Sequence, residues 1–180
     1  MYIDEMKVAS IHGYIYPISD GLPETFFIKG ADCWGWATWK DRWEIFELDG
    51  QKLLNELKSK KLEKEANFNN SYGFTKMLKN QIRGKNNSWA VRWYMSVFLQ
   101  DMLTLYPSKS YVLNIGNDNS GTHCGISDVF GGDLVDNYKL KKIDIKEDLI
   151  ARKKIESFFH SIKSPFGQNL KRRLLRILSK

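Results

Sequence analysis

The sequence predicts a mixed, helix-rich α/β fold, and three observations support this class. Short β-rich runs occur at residues 7–16, 26–29 and 111–115, and proline, glycine or polar residues bound them, as is typical of strands. Longer runs between and after them carry apolar residues at helical spacing. The 180 residues are 42% hydrophobic, which is sufficient for one domain with a sizeable core.

The helices are predicted from apolar spacing and from capping residues. One helix is predicted to begin near Trp36, because Trp36, Trp39 and Trp43 fall at helical spacing and share a face. Ser88 is a suitable N-cap for the strongest of the apolar runs. The other predicted helices cover residues 53–65, 67–78, 89–103, 146–162 and 168–179. Residues 133–142 are predicted to form a surface loop or an edge strand.

The positive charge of the chain is concentrated at its C-terminal end. The formal net charge is +7, yet residues 151–180 alone carry nine Lys or Arg side chains and a single acid, Glu156. The rest of the chain is close to neutral, which argues against a broadly basic nucleic-acid-binding domain. We therefore expect a body at residues 1–145, a basic helical tail at residues 146–180, and no nucleic-acid partner.

The small number of cysteines indicates a reducing compartment, and hydropathy indicates neither a membrane span nor a signal peptide. Cys33 and Cys124 are too few for a disulfide framework, although a single bridge between them remains an alternative. No apolar run approaches the 18 or so residues of a membrane span, and residues 1–9 are too charged for a signal peptide. The sequence therefore predicts a cytoplasmic location.

Four of the six tryptophans lie within ten residues, at Trp34, Trp36, Trp39 and Trp43. Indole rings stack on sugar rings as well as they fill a core. Gly35, between the first two, permits close approach of a ligand or of another backbone segment. The stretch is therefore either a helix start that seals the core or part of a sugar site, with Trp39 and Trp43 the more core-like pair.

A loop of small and polar residues at 116–125 is a second candidate site. Its backbone amides and hydroxyls are suited to surround a phosphate or a sugar. The candidate contacts are Asn117, Asp118, Ser120, Gly121 and Thr122. His123 is a candidate ligand for a divalent metal or a partner for a diphosphate oxygen. The alternative is a turn in which the imidazole of His123 bonds a backbone carbonyl.

The run Ser88-Trp89-Ala90-Val91-Arg92-Trp93-Tyr94 is a third candidate. In a binding site, Arg92 would face an anion between the indoles of Trp89 and Trp93. In a purely structural role, the run is a core helix whose arginine extends to solvent or pairs with an acid.

These three stretches resemble a known family. The patterns FFxKGADCWGWATWKxxW, SWAVRWY and LYPxxSxVxNIGNDxSGTHCG follow one another over roughly residues 7–125. Together they resemble the C-terminal, acceptor-side half of bacterial GT-A-type glycosyltransferases related to the family 2 sugar transferases of polysaccharide and surface-glycan loci. The order is also similar to that of eukaryotic N-acetylglucosaminyltransferases that use UDP-GlcNAc. The resemblance implies a partial GT-A fold.

The resemblance also implies a reaction and its partners. A nucleotide sugar would donate a sugar to a surface-glycan or lipid-linked acceptor, with a divalent metal, Mn or Mg, in the complete enzyme. The family holds metal and diphosphate with a DxD motif in an N-terminal half, and no such motif precedes the matching residues here. We therefore expect an acceptor-side half, from a truncated gene, a split gene or a trimmed chain, that is inactive without the missing donor-binding half. A separate donor-binding subunit is one partner that could supply that half. Oligomerisation is a further expectation, because strands without that half would leave an open sheet edge.

The resemblance assigns roles to individual residues. An inverting transferase needs a general base for the acceptor hydroxyl, and Asp32 is the candidate because the helix positions that supply a carboxylate in the relatives are Ala90 and Val91 here. Asp101 and Asp118 are alternatives, and Asp32 as a helix cap is the structural alternative.

The other implied roles concern the sugars and the diphosphate. Trp34 and Trp36 would stack on acceptor or donor sugar, while Arg92 and His123 would face diphosphate and metal. A different class of function uses the same indoles without catalysis, namely a carbohydrate-binding or partner module that complements a donor-binding subunit.

The end of the chain forms a short basic amphipathic pattern at residues 169–180. Such a helix lies on anionic membrane surfaces, which predicts peripheral contact with the inner face of the membrane. The alternative is a helix that packs on the domain with a solvated basic face.

Overall fold

The computed structural model describes residues 1–113, 129–131, 134–135 and 141–163. These residues form a four-stranded sheet and six helices, so the predicted mixed α/β class is confirmed. The strands are β1 (Val8–His12), β2 (Thr25–Lys29), β3 (Trp36–Thr38) and β4 (Leu103–Pro107), and their order across the sheet is β2-β4-β1-β3.

The sheet is mixed in direction. Strand β4 is parallel to β1 and antiparallel to β2, while β3 is antiparallel to β1. Parallel neighbours need a crossover connection, and the chain between β1 and β4 forms β2, β3 and then five helices before it returns to the sheet as β4. Strand β4 is buried along its whole length, as a central strand is.

The helices are α1 (Lys40–Trp43), α2 (Gly50–Ser59), α3 (Glu63–Ala66), α4 (Phe74–Ile82), α5 (Trp89–Leu99) and α6 (Leu149–Lys163). Three of them begin at side-chain caps, and for α6 the carboxylate of Asp148 accepts the amides of Ile150 and Ala151. The carboxylate of Asp49 accepts the amides of Gln51 and Lys52, and the hydroxyl of Ser88 accepts the amide of Val91. Ser88 is therefore the N-cap that the sequence predicts.

One face of the sheet carries the main core. Helices α2, α4, α5 and α6 bury apolar side chains against β2 and β4, and the rings of Phe26 and Tyr106 stack at 5.9 Å on these strands. The opposite face is thinner, since Ile143 and Ile145 cover part of a small cluster there. That cluster consists of Tyr2, Val8, Phe27, Leu103 and Leu105. The thicker layer is the one that borders the candidate site.

The tryptophan-rich stretch does not begin a helix at Trp36, as its spacing predicts. Trp36–Thr38 is strand β3, and only Lys40–Trp43 is helical. Gly35 has a φ of +56°, and its carbonyl accepts the amide of Gly13 at 2.6 Å. Because this turn aligns the stretch with β1, strand pairing overrides the helical spacing. Asp32 is therefore not a helix cap.

The next two predicted helices are interrupted by left-handed backbone. Lys61 has a φ of 57°, so α2 ends at Ser59 and a separate turn, α3, follows. Three consecutive residues, Phe68, Asn69 and Asn70, also have positive φ, so that α4 begins only at Phe74. Left-handed residues cannot continue a right-handed helix, so both predicted helices were too long or wrongly placed.

The last part of the predicted 89–103 helix is instead the central strand. Helix α5 ends at Leu99, and Asp101, with a φ of 54°, reverses the chain into β4. Residues 111–113 lie outside any strand, and residues 114–115 of that prediction lie outside the described residues. The predicted helix at 146–162 is confirmed with shifted ends as α6, which packs Ala151, Ile155 and Phe159 into the main core.

None of the helices in the described part of the chain is long and apolar enough to cross a membrane.

Candidate functional site

A pocket of about 150 Å³ lies between the sheet and helices α4 and α5. Its walls are largely aromatic, and Asp32 is the one charged side chain among the described residues that line it. Cys33, Met77, Ala90 and Val91 complete the lining. The aromatic wall residues are Tyr16, Trp34, Tyr72, Phe74, Tyr94 and Phe130.

The turn after β2 directs Asp32 toward this pocket. Gly30 has a φ of +90°, and a Cβ at this position would lie 2.5 Å from the ring of Tyr94. The amide of Gly30 donates to the carbonyl of Met102, and its own carbonyl accepts the hydroxyl of Thr104. Glycine is therefore required here both by the backbone conformation and by the space that Tyr94 occupies.

Four donors surround the carboxylate of Asp32. The hydroxyls of Tyr16 and Tyr106 donate to Oδ2 at 2.6 and 3.2 Å. The amide of Trp34 donates to Oδ1 at 3.4 Å, and Nε2 of His12 contacts the same oxygen. The side chain of Asp32 is 18% exposed and that of His12 is fully enclosed, so this is a largely buried ion pair at the edge of the pocket.

The pair shifts the pKa values of both partners. Burial alone would lower the pKa of His12, but the negative charge and the hydrogen bond of Asp32 outweigh it and raise that pKa above its ordinary value. Burial alone would raise the pKa of Asp32, but the charge of His12 and the donors around the carboxylate hold it below its ordinary value. Asp32 is thus a stable carboxylate.

The tyrosine hydroxyls and the cysteine thiol around the pair stay neutral. Burial and the charge of Asp32 raise the pKa values of Tyr16 and Tyr106 well above their ordinary range. The same two causes raise the pKa of Cys33, so its thiol is protonated and is a poor nucleophile. Nucleophilic catalysis by Cys33 is therefore disfavoured, and among the described residues that line the pocket Asp32 is the ionised one.

The structure places only some of the predicted sugar contacts at the pocket. Trp34 lies in its wall, with its ring edge-on to Tyr14 at 5.0 Å and to Phe130 at 5.1 Å. Trp36 instead lies 5.7–6.0 Å from the rings of three other tryptophans, in a second aromatic cluster. This cluster consists of Trp36, Trp43, Phe46, Trp89 and Trp93.

In and beside the second cluster, the exposed fractions of the tryptophan side chains differ from those that the sequence predicts. Trp93 has no exposed surface, so its side chain is a core residue and not a ligand contact. Trp43, expected to be core, is 39% exposed, and Trp89 is 43% exposed. Trp39 is half-buried beside the guanidinium of Arg42, at 5.0 Å. The indoles of Trp43 and Trp89 are therefore the surface of this cluster.

Arg92 lies away from Asp32. Its Nη1 donates to the carbonyl of Leu48 at 2.8 Å, and its guanidinium lies 5.6 Å from the ring of Phe46. The neighbouring positions Ala90 and Val91 are the ones that face the pocket. The structure thus brings Asp32 and Trp34 together, and it places Trp36, Trp89, Arg92 and Trp93 in a separate region.

Several predicted contacts lie outside the described residues. They are Asn117, Asp118, Ser120, Gly121, Thr122 and His123, together with the tail at 169–180. In the described part of the chain, no three or more His, Cys, Asp or Glu side chains form a group able to hold a metal ion. Asp101, an alternative base, instead lies at the surface with Lys7 and Lys29.

In comparisons with known proteins, no family model, curated protein or solved structure matches this chain.

His12, Tyr16 and Tyr106 are site residues that were not predicted from the sequence. One signal for two of them was present, since His12, Tyr14 and Tyr16 alternate and so place polar aromatic groups on one side of an extended chain. Tyr106 had no such signal, because its approach to Asp32 depends on the position of β4 beside β1.

Proposed function

We propose that this chain is the acceptor-side part of a GT-A-type glycosyltransferase, and that the pocket at Asp32 binds the acceptor sugar. A donor-binding subunit would supply the nucleotide sugar, the divalent metal and the diphosphate contacts. The chain by itself would then bind a sugar without transferring one. The resemblance to the acceptor-side motifs and the make-up of the pocket support this proposal.

One observation carries the proposal. Asp32 lines the same pocket as Ala90 and Val91, the positions at which the resemblance implies a carboxylate-bearing helix. In this chain those two side chains are apolar, and the turn after β2 brings a carboxylate to the same pocket instead. A substitute base is expected at such a place, since the acceptor hydroxyl must lose a proton during transfer.

The size and chemistry of the pocket suit one sugar ring. A cavity of about 150 Å³ holds a single six-membered ring. Aromatic walls cover the apolar face of such a ring, and a carboxylate accepts hydrogen bonds from its hydroxyls. Trp34 and Asp32 supply these two kinds of contact.

Before the carboxylate of Asp32 can accept a hydrogen bond from a substrate hydroxyl, it must lose one of its present donors. A carboxylate has about four acceptor sites, and four donors already occupy them. The amide of Trp34 at 3.4 Å and the hydroxyl of Tyr106 at 3.2 Å make the two longest of these four contacts. We expect an acceptor hydroxyl to replace one of these two donors.

A second function, a non-catalytic carbohydrate-binding module, is favoured by a different observation. The lowered pKa of Asp32 makes its carboxylate a weak base at neutral pH. Such a group is suited to hold a hydroxyl and less suited to remove its proton. In this alternative the same pocket binds the same kind of ligand, but no sugar is transferred.

The experiment titrates the full chain with methyl glycosides of glucose, galactose, mannose and N-acetylglucosamine and measures binding by calorimetry. We expect at least one glycoside to bind, and Trp34→Ala to weaken that binding at least tenfold. Trp89→Ala, which removes an indole outside the pocket, is the matched control and should leave the affinity within twofold. Equal loss in both variants, or no binding of any glycoside, would contradict the proposal.

The role of Asp32 is tested separately. With a donor-binding subunit present, Asp32→Asn should lower transfer at least a hundredfold if Asp32 is the base, because general-base catalysis contributes about 10²–10⁴. If transfer is unchanged while sugar affinity falls, the carboxylate only binds the sugar and another group is the base. If the wild-type chain and a donor-binding subunit transfer no sugar although the pocket binds one, the second function is the correct one.

A further inference from the structure

We propose that His12 is a positioning residue that, as an imidazolium, holds the carboxylate of Asp32 ionised and oriented at the pocket. The inference depends on the proposed function in one respect only, namely that the oriented carboxylate is used to hold a sugar hydroxyl. His12 does not touch the pocket itself, and it would act on a ligand through Asp32.

The hydrogen-bond partners of the ring define its protonation. Nδ1 of His12 lies 3.0 Å from the carbonyl of Tyr14, which only accepts, so Nδ1 carries a proton. Nε2 contacts Oδ1 of Asp32. If Nε2 carried no proton, its lone pair would face the lone pairs of the carboxylate, and the two groups would repel each other. The contact therefore requires a second proton between Nε2 and Oδ1.

The donors around Asp32 decide where that second proton lies. Two tyrosine hydroxyls and the amide of Trp34 point at the carboxylate, and donors of this kind stabilise its ionised form. The proton is therefore expected on His12. The competing state is a neutral imidazole whose Nε2 accepts the amide of Trp34, which lies 3.3 Å from it.

The other ionisable groups near the pair do not change this assignment. Tyr14 and Tyr16 follow β1, Tyr106 is on β4, Cys33 follows Asp32, and Tyr72 precedes α4. The pKa values of all five are raised, so these groups are neutral wherever His12 titrates. Among these groups, His12 is thus the one whose charge can change near neutral pH, while Asp32 stays ionised there.

Loss of the imidazolium proton has a predictable effect on the pocket. Without it, Oδ1 of Asp32 loses its charged donor and faces a lone pair, so the carboxylate turns from its position. A ligand hydroxyl held by Asp32 loses its fixed partner at the same time. Sugar affinity should therefore fall as the pH rises through the midpoint of His12.

The first experiment is an NMR titration of the free chain labelled with ¹⁵N at histidine and ¹³C at aspartate. At pH 6, we expect both ring nitrogens of His12 to show imidazolium shifts, with a midpoint above about 6.5. Asp32 should titrate below about 3.9. A neutral His12 at pH 6, or a midpoint below 6.5, would overturn the inference without any variant being made.

The second experiment compares variants. His12→Gln can still donate to Asp32 but carries no charge, and it should raise the Asp32 midpoint by one unit or more, since a close opposite charge lowers such values by about 1–3 units. His160→Gln, the same change at an exposed position of α6, is the control and should leave it unchanged. An unchanged Asp32 midpoint in His12→Gln overturns the inference.

If His12→Gln does not fold, Tyr106→Phe replaces it, because this variant removes one donor and keeps His12. The Asp32 midpoint should then rise while His12 stays an imidazolium at pH 6, and a neutral His12 at that pH in this variant would count against the inference. Sugar titrations at pH 6 and 9 separate the two proposals. A confirmed imidazolium with no sugar binding refutes the proposed function alone, and sugar binding with the same affinity at both values refutes the role of His12.

Discussion

The ring of Tyr94 occupies the space in which a side chain on Gly30 would lie. A Cβ on Gly30 would be 2.5 Å from Cε2 of Tyr94, and the hydroxyl of Tyr94 is held by the carbonyl of Ala66 at 2.8 Å. The ring therefore cannot move aside easily. This contact fixes the turn that carries Asp32 to the pocket.

Gly30→Ala should lower the free energy of unfolding by about 2–6 kcal/mol, because left-handed backbone and overpacking each cost about 1–3 kcal/mol. Gly84→Ala is the matched control, since Gly84 also has a positive φ but has nothing within 4 Å of its Cβ position. It should lose only about 1 kcal/mol. Denaturant unfolding measures both, and equal losses would show that Tyr94 does not restrict position 30.

The His12–Asp32 pair predicts how stability depends on pH. The pKa of Asp32 is lowered in the fold, so its contribution is present above about pH 3.9 and is lost as the pH falls through the folded pKa. The pKa of His12 is raised, so its contribution is complete below about pH 6.5 and is lost as the pH rises through the folded pKa. The pair therefore stabilises the fold most between these two values.

Asp32→Asn should remove this pH dependence and cost about 3–5 kcal/mol near pH 6, because it leaves the enclosed imidazole without its partner. Urea unfolding of wild type and variant between pH 4 and 9 is the measurement. Parallel curves for the two proteins would mean that the pair contributes nothing that depends on charge.

The second aromatic cluster predicts a contrast between two tryptophans of α5. Trp93→Ala should cost about 3–5 kcal/mol, because a fully buried indole leaves a cavity. Trp89→Ala should cost about 1 kcal/mol, since its side chain is 43% exposed. Thermal unfolding of the two variants checks the placement, and a larger loss for Trp89→Ala would mean that α5 is rotated.

The basic end of the chain predicts binding to anionic membranes. Residues 169–180 carry five Lys or Arg side chains and no acid, and each basic side chain near such a surface is worth about 1 kcal/mol. The chain should float with vesicles that contain phosphatidylserine and remain behind with pure phosphatidylcholine. A chain truncated after residue 168 should float with neither, and undiminished flotation of the truncated chain would exclude a role for this segment.

The sequence was sufficient for the class of fold and for features that depend on neighbours along the chain. The Ser88 cap and helices α5 and α6 are of this kind, because capping and apolar spacing act within a few residues. Trp36 shows the limit of such patterns. Its spacing is helical, but its pairing with His12 in the sheet involves a residue 24 positions away and decides its conformation.

The candidate site was predictable only in its centre. Asp32 and Trp34 stand in one motif, and both line the pocket. The partners of Asp32 come from positions 12, 16 and 106, so their convergence depends on the order of strands in the sheet. The same long-range order separates Arg92 and Trp93 from Asp32, although their helix also supplies Ala90 and Val91 to the pocket.

The most direct test of a sugar site at Asp32 is a crystal structure of the chain with the methyl glycoside that binds best. We predict a sugar ring in the pocket, with its apolar face on the aromatic wall at Trp34 and one hydroxyl within about 2.5–3.2 Å of the Asp32 carboxylate. A sugar bound against Trp43 and Trp89 with the pocket empty would contradict this account.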